Sequence, residues 1–220
     1  MDEEDGGLAR CQVCVSFRAV SDTPARRWPK GPFPDKYRWE TIEARLAGGW
    51  DDPRRRTLVD ALEARGWRAM EGHDDPYLRV VIREGASEEE LDALRALARD
   101  AGTFAFRWRA HDRREGIGLV ASGDPVDAVA AVGVAGPQHG VGTAAIVRFL
   151  VSLRSFARYE LEELADDRVA MRIEPRDEEI ARMIGERVPH VCPPRARRAQ
   201  TGAQIAEEMR TTGRLVLDYA

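Results

Sequence analysis

Lysine is nearly missing from this chain. Lys30 and Lys36 are the only two in 220 residues, and every other cationic side chain is arginine. With the heavy Ala and Gly load, this is the codon bias expected of a high-GC bacterium. A single arginine is then no sign that fork geometry was selected. Cysteine is scarce too. Cys11, Cys14 and Cys192 are an odd set, which argues against a disulfide framework. The longest apolar run lies within Val126 to Val134, far short of a membrane span. The acidic start, Met1-Asp2-Glu3-Glu4-Asp5, lacks the basic residues that open a signal peptide. A cytoplasmic protein away from the membrane is the expectation. The net charge of −4 gives no general pull toward nucleic acid or anionic lipid.

Catalytic signatures are missing as well. There is no phosphate-loop lysine, no second Cys-x-x-Cys and no nucleophile elbow. No catalytic residue, metal ligand set or cofactor is assigned. Cys11 and Cys14 fall within an alternating stretch, Cys11 to Ala19, where residues three apart face opposite ways. That places Cys11 in a core and Cys14 half-exposed, rather than both on one metal. His190, Cys192 and His139 have no spacing that ties them to that pair.

What is there is a periodic apolar pattern. Hydrophobic residues make up 43% of the chain, enough for a real core. Residues 1–9 read as a disordered acidic tail and Cys11 to Ala19 as a strand. Four prolines make Thr23 to Asp35 irregular. Helices are predicted from Glu40 to Leu46, from Asp52-Pro53 to Arg65, and from the capping box Ser87/Glu90 to Ala101. Trp67 to Met70, Tyr77 to Arg83 and Thr103 to Arg109 read as strands. The second half offers strands at Gly116 to Ser122, Arg158 to Leu164, Arg168 to Glu174 and Arg214 to Tyr219. Its helices are predicted over Thr143 to Phe156, Arg176 to Arg187 and Thr201 to Thr212.

A shift of 89 residues lays Arg79-Val80-Val81-Ile82-Arg83 on Arg168-Val169-Ala170-Met171-Arg172, and Glu88-Glu89-Glu90-Leu91 on Asp177-Glu178-Glu179-Ile180. Each half then reads strand, helix, strand, strand, helix, strand. The expected fold class is α+β: two tandem ferredoxin-like (βαββαβ) units, at 10–112 and 113–220, with mostly antiparallel sheets and helices on one face of each.

Two segments stand out as candidate sites. The run Gly136-Pro137-Gln138-His139-Gly140-Val141-Gly142-Thr143 is a glycine-rich loop entering a helix. Free N–H groups at a helix start favour an anion, so Gly136, His139, Gly140, Gly142 and Thr143 are candidate ligand-binding residues, with Thr143 as a cap. A flexible connector is the plainer reading. The stretch Arg26 to Trp39 interleaves aromatics with cations. A loop pinned to the domain by its aromatics is the plainer reading; as a protein interface, Trp28, Phe33, Tyr37 and Trp39 are its candidate residues. Stacking plus positive charge also suits single-stranded nucleic acid, the lesser alternative.

One resemblance covers 123–220. A glycine-containing loop leads into a helix, Ile146 to Leu153; then come Cys192-Pro193, Thr201-Gly202, the helix Ile205 to Met209 and the strand Leu215 to Tyr219. This order resembles an uncharacterised bacterial domain-of-unknown-function family with a Cys-Pro-Asp element and a Trp-Trp-Asp ending. Here Pro194 stands where that family has Asp, and Leu217-Asp218-Tyr219 replaces its ending. The resemblance implies a fold but no activity. The function expected from all this is a bacterial binding or interaction protein of accessory or immunity type, with another protein as its partner. The alternatives are a small enzyme or sensor taking an anionic ligand at Gly136 to Thr143, and a nucleic-acid binder.

Overall fold

A computed structural model describes residues 35–73, 75–109, 114–193 and 200–219. Cys11, Cys14, Trp28 and Phe33 lie outside them, as does the predicted first strand.

Helix formation follows local chemistry. In α1 (Trp39–Leu46), Ile42 and Leu46 form the buried stripe. Asp52 caps α2 (Pro53–Glu63), accepting from the Arg54 N–H at 2.9 Å, and Pro53 starts the helix where its missing N–H costs nothing. Reciprocal capping boxes open α3 (Glu88–Asp100), through Ser87 and Glu90, and α7 (Gly202–Thr212), through Thr201 and Gln204. A helix that the periodicity did not indicate is α4 (Pro125–Val132). It repeats the Asp-Pro start of α2, with Asp124 accepting from the Val126 N–H at 3.0 Å. Its Val/Ala run is apolar all round because the helix is buried, so no amphipathic stripe marks it. Helix α5 (Thr143–Leu153) follows the glycine loop. Helix α6 (Glu178–Val191) runs on through Pro189 in its last turn, giving up the N–H bond that another residue there would make to the preceding turn.

Among the described residues, seven strands form one sheet, not two. They are β1 (Arg68–Ala69), β2 (Leu78–Ile82), β3 (Phe104–Arg109), β4 (Glu115–Val120), β5 (Ala157–Ala165), β6 (Arg168–Pro175) and β7 (Arg214–Asp218), in the order β1-β2-β4-β3-β5-β6-β7. The architecture is α+β with a mostly antiparallel sheet. The one parallel pair among the described strands, β3 with β5, joins the two halves. Strand β4, read from sequence as the start of a second unit, instead lies between β2 and β3. The strand–helix pairs β2–α3 and β6–α6 both form, but β2 sits between β1 and β4 while β6 sits between β5 and β7.

The halves also differ in cover. In the first half, Ala105, Ile117 and Leu119 face α2 and α3 in one core cluster, with Leu58, Leu62 and Leu94. Their strand neighbours Phe106, Trp108, Val80 and Val120 face the opposite way, into a larger core with α1, α4 and α5. Helices thus cover both faces there, not one as expected. In the second half, Leu161, Leu164, Val169, Met171, Leu215 and Leu217 face that same larger core. The outward positions of the second half are mostly charged, with Ala170 and Val216 set between the charges. Close packing also explains a glycine: Gly118 pairs with Phe106 across the ladder, and a Cβ on it would sit 2.4 Å from the Phe106 ring.

Candidate functional site

The glycine loop lies between α4 and α5. Four of its backbone N–H groups bond within the loop. Gly136 and Val141 exchange N–H···O bonds of 2.8 and 3.1 Å, the His139 N–H donates to Gly136 O at 2.8 Å, and the Gly140 N–H to Pro137 O at 3.1 Å. Gly140 takes a left-handed φ of +69°, which closes the turn. Thr143 does not cap α5. Gly142 is the N-cap residue, and Thr143 is the first residue of the helix and buried.

Tyr219 packs against the loop. Its ring lies on Gly136, where a Cβ would come within 2.5 Å of it. Its main-chain oxygen accepts from the Gln138 side chain and sits 3.1 Å from His139 Nε2. Its hydroxyl donates to Val191 O at 2.8 Å, and its N–H to Asp167 O at 2.9 Å. Burial drives the Tyr219 phenol well above its ordinary pKa, with the nearby Cys192 adding to the effect. Cys192 is buried, and its thiol donates to Asp218 O at 3.3 Å. Of the candidate residues, Gly136 and His139 are therefore brought together, with Gln138, around the chain's own Tyr219, while Gly140 closes the turn. The signal for this was a buried aromatic one residue past a strand, and it looked like an ordinary strand end.

A second polar cluster was not foreseen. Asp127 is wholly buried in the first turn of α4. It accepts from Arg45 at 2.6 and 3.1 Å and from the Ser122 hydroxyl at 2.6 Å. Asp124 pairs with Arg154, whose guanidinium also bonds the Tyr37 hydroxyl and reaches the Tyr159 hydroxyl at 3.3 Å. Burial by itself would raise the Asp124 pKa. The bonds from Arg154 and the Val126 N–H, with the Arg154 charge, outweigh it and hold the carboxyl below the usual range. Burial raises the Tyr159 phenol despite Arg154. Chemically this cluster is a clamp: each carboxylate has its own arginine, and the pairs tie α1, α5 and β5 to the start of α4. Tyr37, a candidate interface residue, is a core residue of that clamp at 2% exposure. Trp39 stays half-exposed, edge-on to Tyr77 with ring centroids 5.8 Å apart.

The uncovered face of β5, β6 and β7 carries a ladder of ion pairs. Glu162 takes Arg172 at 3.0 Å and Arg214 at 2.9 Å. Arg168 lies 3.1 Å from Glu163 and 3.4 Å from Asp218. The signs alternate and balance, so this face is not a phosphate-binding stripe. Among the described residues, no three His, Cys, Asp or Glu side chains group as metal ligands would, and no helix is long and apolar enough to cross a membrane. The chain matches no family model, no curated protein and no solved structure.

Proposed function

We propose that the chain is a binding protein that works by engaging another protein, in an accessory or immunity-type role in a bacterial cytoplasm. One observation carries this reading over a ligand-handling one: the loop Gly136 to Thr143 bonds four of its backbone N–H groups within itself and packs Gly136, Gln138 and His139 on Tyr219. The arginine–carboxylate pairs at the start of α4 support it, since they join elements instead of converging on open space. The contact surface belongs to the aromatic segment from Trp28 to Trp39. Tyr37 fastens its end to the core, and Trp39 remains half-exposed beside Tyr77. Half-exposed aromatics next to a rigid anchor make strong interface contacts.

The test is capture and crosslinking of a partner by the tagged full chain, repeated with Trp28→Ala plus Trp39→Ala. A single stable partner, lost in a variant that melts like the parent, is the expected result. Unchanged capture by the double variant sinks the proposal.

A further inference from the structure

Three buried polar groups near the start of α2 have no acceptor among the described residues: the Trp50 indole N–H, Arg55 Nε and the Thr103 hydroxyl. Thr103 is only 3% exposed. The three belong to one neighbourhood. Arg55 donates through one terminal nitrogen to Gly49 O at 2.8 Å and through the other to Gly102 O at 2.9 Å, so its guanidinium spans the residues just before Trp50 and Thr103. Ala121 ties the two sides together. It lies one residue beyond the Phe104–Val120 ladder pair, opposite Thr103, and a Cβ on Gly49 would come within 2.7 Å of it.

The two carbonyl bonds account for the ends of the Arg55 side chain and leave its Nε over. A buried donor without an acceptor costs about as much as a lost hydrogen bond, so three in one nook call for a common partner. Local charge favours a negative one. Arg55 and Arg79 have no carboxylate bonded to them among the described residues, and the Arg79 guanidinium lies over the Trp50 ring at 4.5 Å. The neighbouring acids are engaged elsewhere: Asp52 by Arg54 at 2.8 Å and Asp51 by Arg56 at 3.4 Å.

We propose that this nook, between the start of α2, the Gly49–Asp51 turn and the start of β3, binds a halide-sized anion through Trp50 Nε1, Arg55 Nε and the Thr103 hydroxyl. The site is separate from the glycine loop and does not depend on the proposed partner. Bromide is the probe, exchanged for gluconate at constant ionic strength, because it also quenches a tryptophan that it touches. With the anion ~tenfold above its dissociation constant, the parent protein should melt about 4 °C higher than Thr103→Val does relative to their gluconate values. Quenching should saturate in the parent and lose that saturable part in both Thr103→Val and Trp50→Phe. Thr103→Val keeps shape and volume, so it stays folded even where a change at Arg55 would not. Equal bromide shifts in parent and Thr103→Val, or a linear quench in all three proteins, would overturn the proposal and leave the nook to water.

Discussion

The two halves of the sheet bury themselves in different ways. Strands β2, β3 and β4 are sandwiched along much of their length: side chains on both faces meet helices, so Leu119 and Val120 are equally buried though they point in opposite directions, while Arg79, Arg107 and Arg109 stay exposed. Strands β5, β6 and β7 are covered on one side. Leu217 and Met171 are buried, while Arg172, whose side chain is 70% exposed, and Arg214 point away from the helices. A strand between two layers has no polar face to spare; a strand under one layer can use its other face for charge. The lesson is that stability should concentrate in the sandwiched half and at the helix contacts, and that the charged face should be tolerant.

The largest effect should come from the cover of the second half. Gly185 meets α7 at Gly202, and a Cβ there would sit 2.2 Å from the Gly202 carbonyl oxygen. Gly185→Ala must push α6 off α7 and should cost about 3 kcal/mol or more in denaturant unfolding. Leu119→Ala, in the sandwiched half at 0% exposure, should cost about 3 kcal/mol by the same measurement. Next comes acid. Asp124 has a depressed pKa in the fold, so its contribution is present above the ordinary aspartate value of about 3.9 and is lost as pH falls through the lower folded value. Melting of the parent should drop in that window, and Asp124→Asn should drop less. The smallest effect should be on the open face. Arg172→Ala together with Arg214→Ala should cost under about 1 kcal/mol, because exposed pairs contribute little. A cost comparable to Leu119→Ala would mean that the face is covered, and the contrast between the halves would fail.

Much of the element pattern was legible because it rests on local rules. The caps at Asp52, Ser87 and Thr201 and the alternation in β3, β6 and β7 are written in adjacent residues. Helix α4 was not legible, because a fully buried helix has no stripe; its one local clue, Asp124-Pro125, matches Asp52-Pro53 and went unused. The single sheet was not legible either. Whether β4 returns between β2 and β3 or begins a new sheet depends on contacts far apart in sequence, such as Val80 with Gly118. Of the candidate site, the sequence showed the glycines and His139 but not what they surround. Nothing local to Gly136 announces that the ring packed on it belongs to Tyr219, 83 residues on.

The claim that Gly136 to Thr143 clasps Tyr219 instead of a ligand is tested most directly by melting the parent, His139→Ala and Tyr219→Ala proteins with and without phosphate. The account predicts no phosphate shift that depends on His139, and a clear loss of stability in Tyr219→Ala. A phosphate-induced rise in Tm that disappears in His139→Ala would contradict it and return the loop to ligand binding.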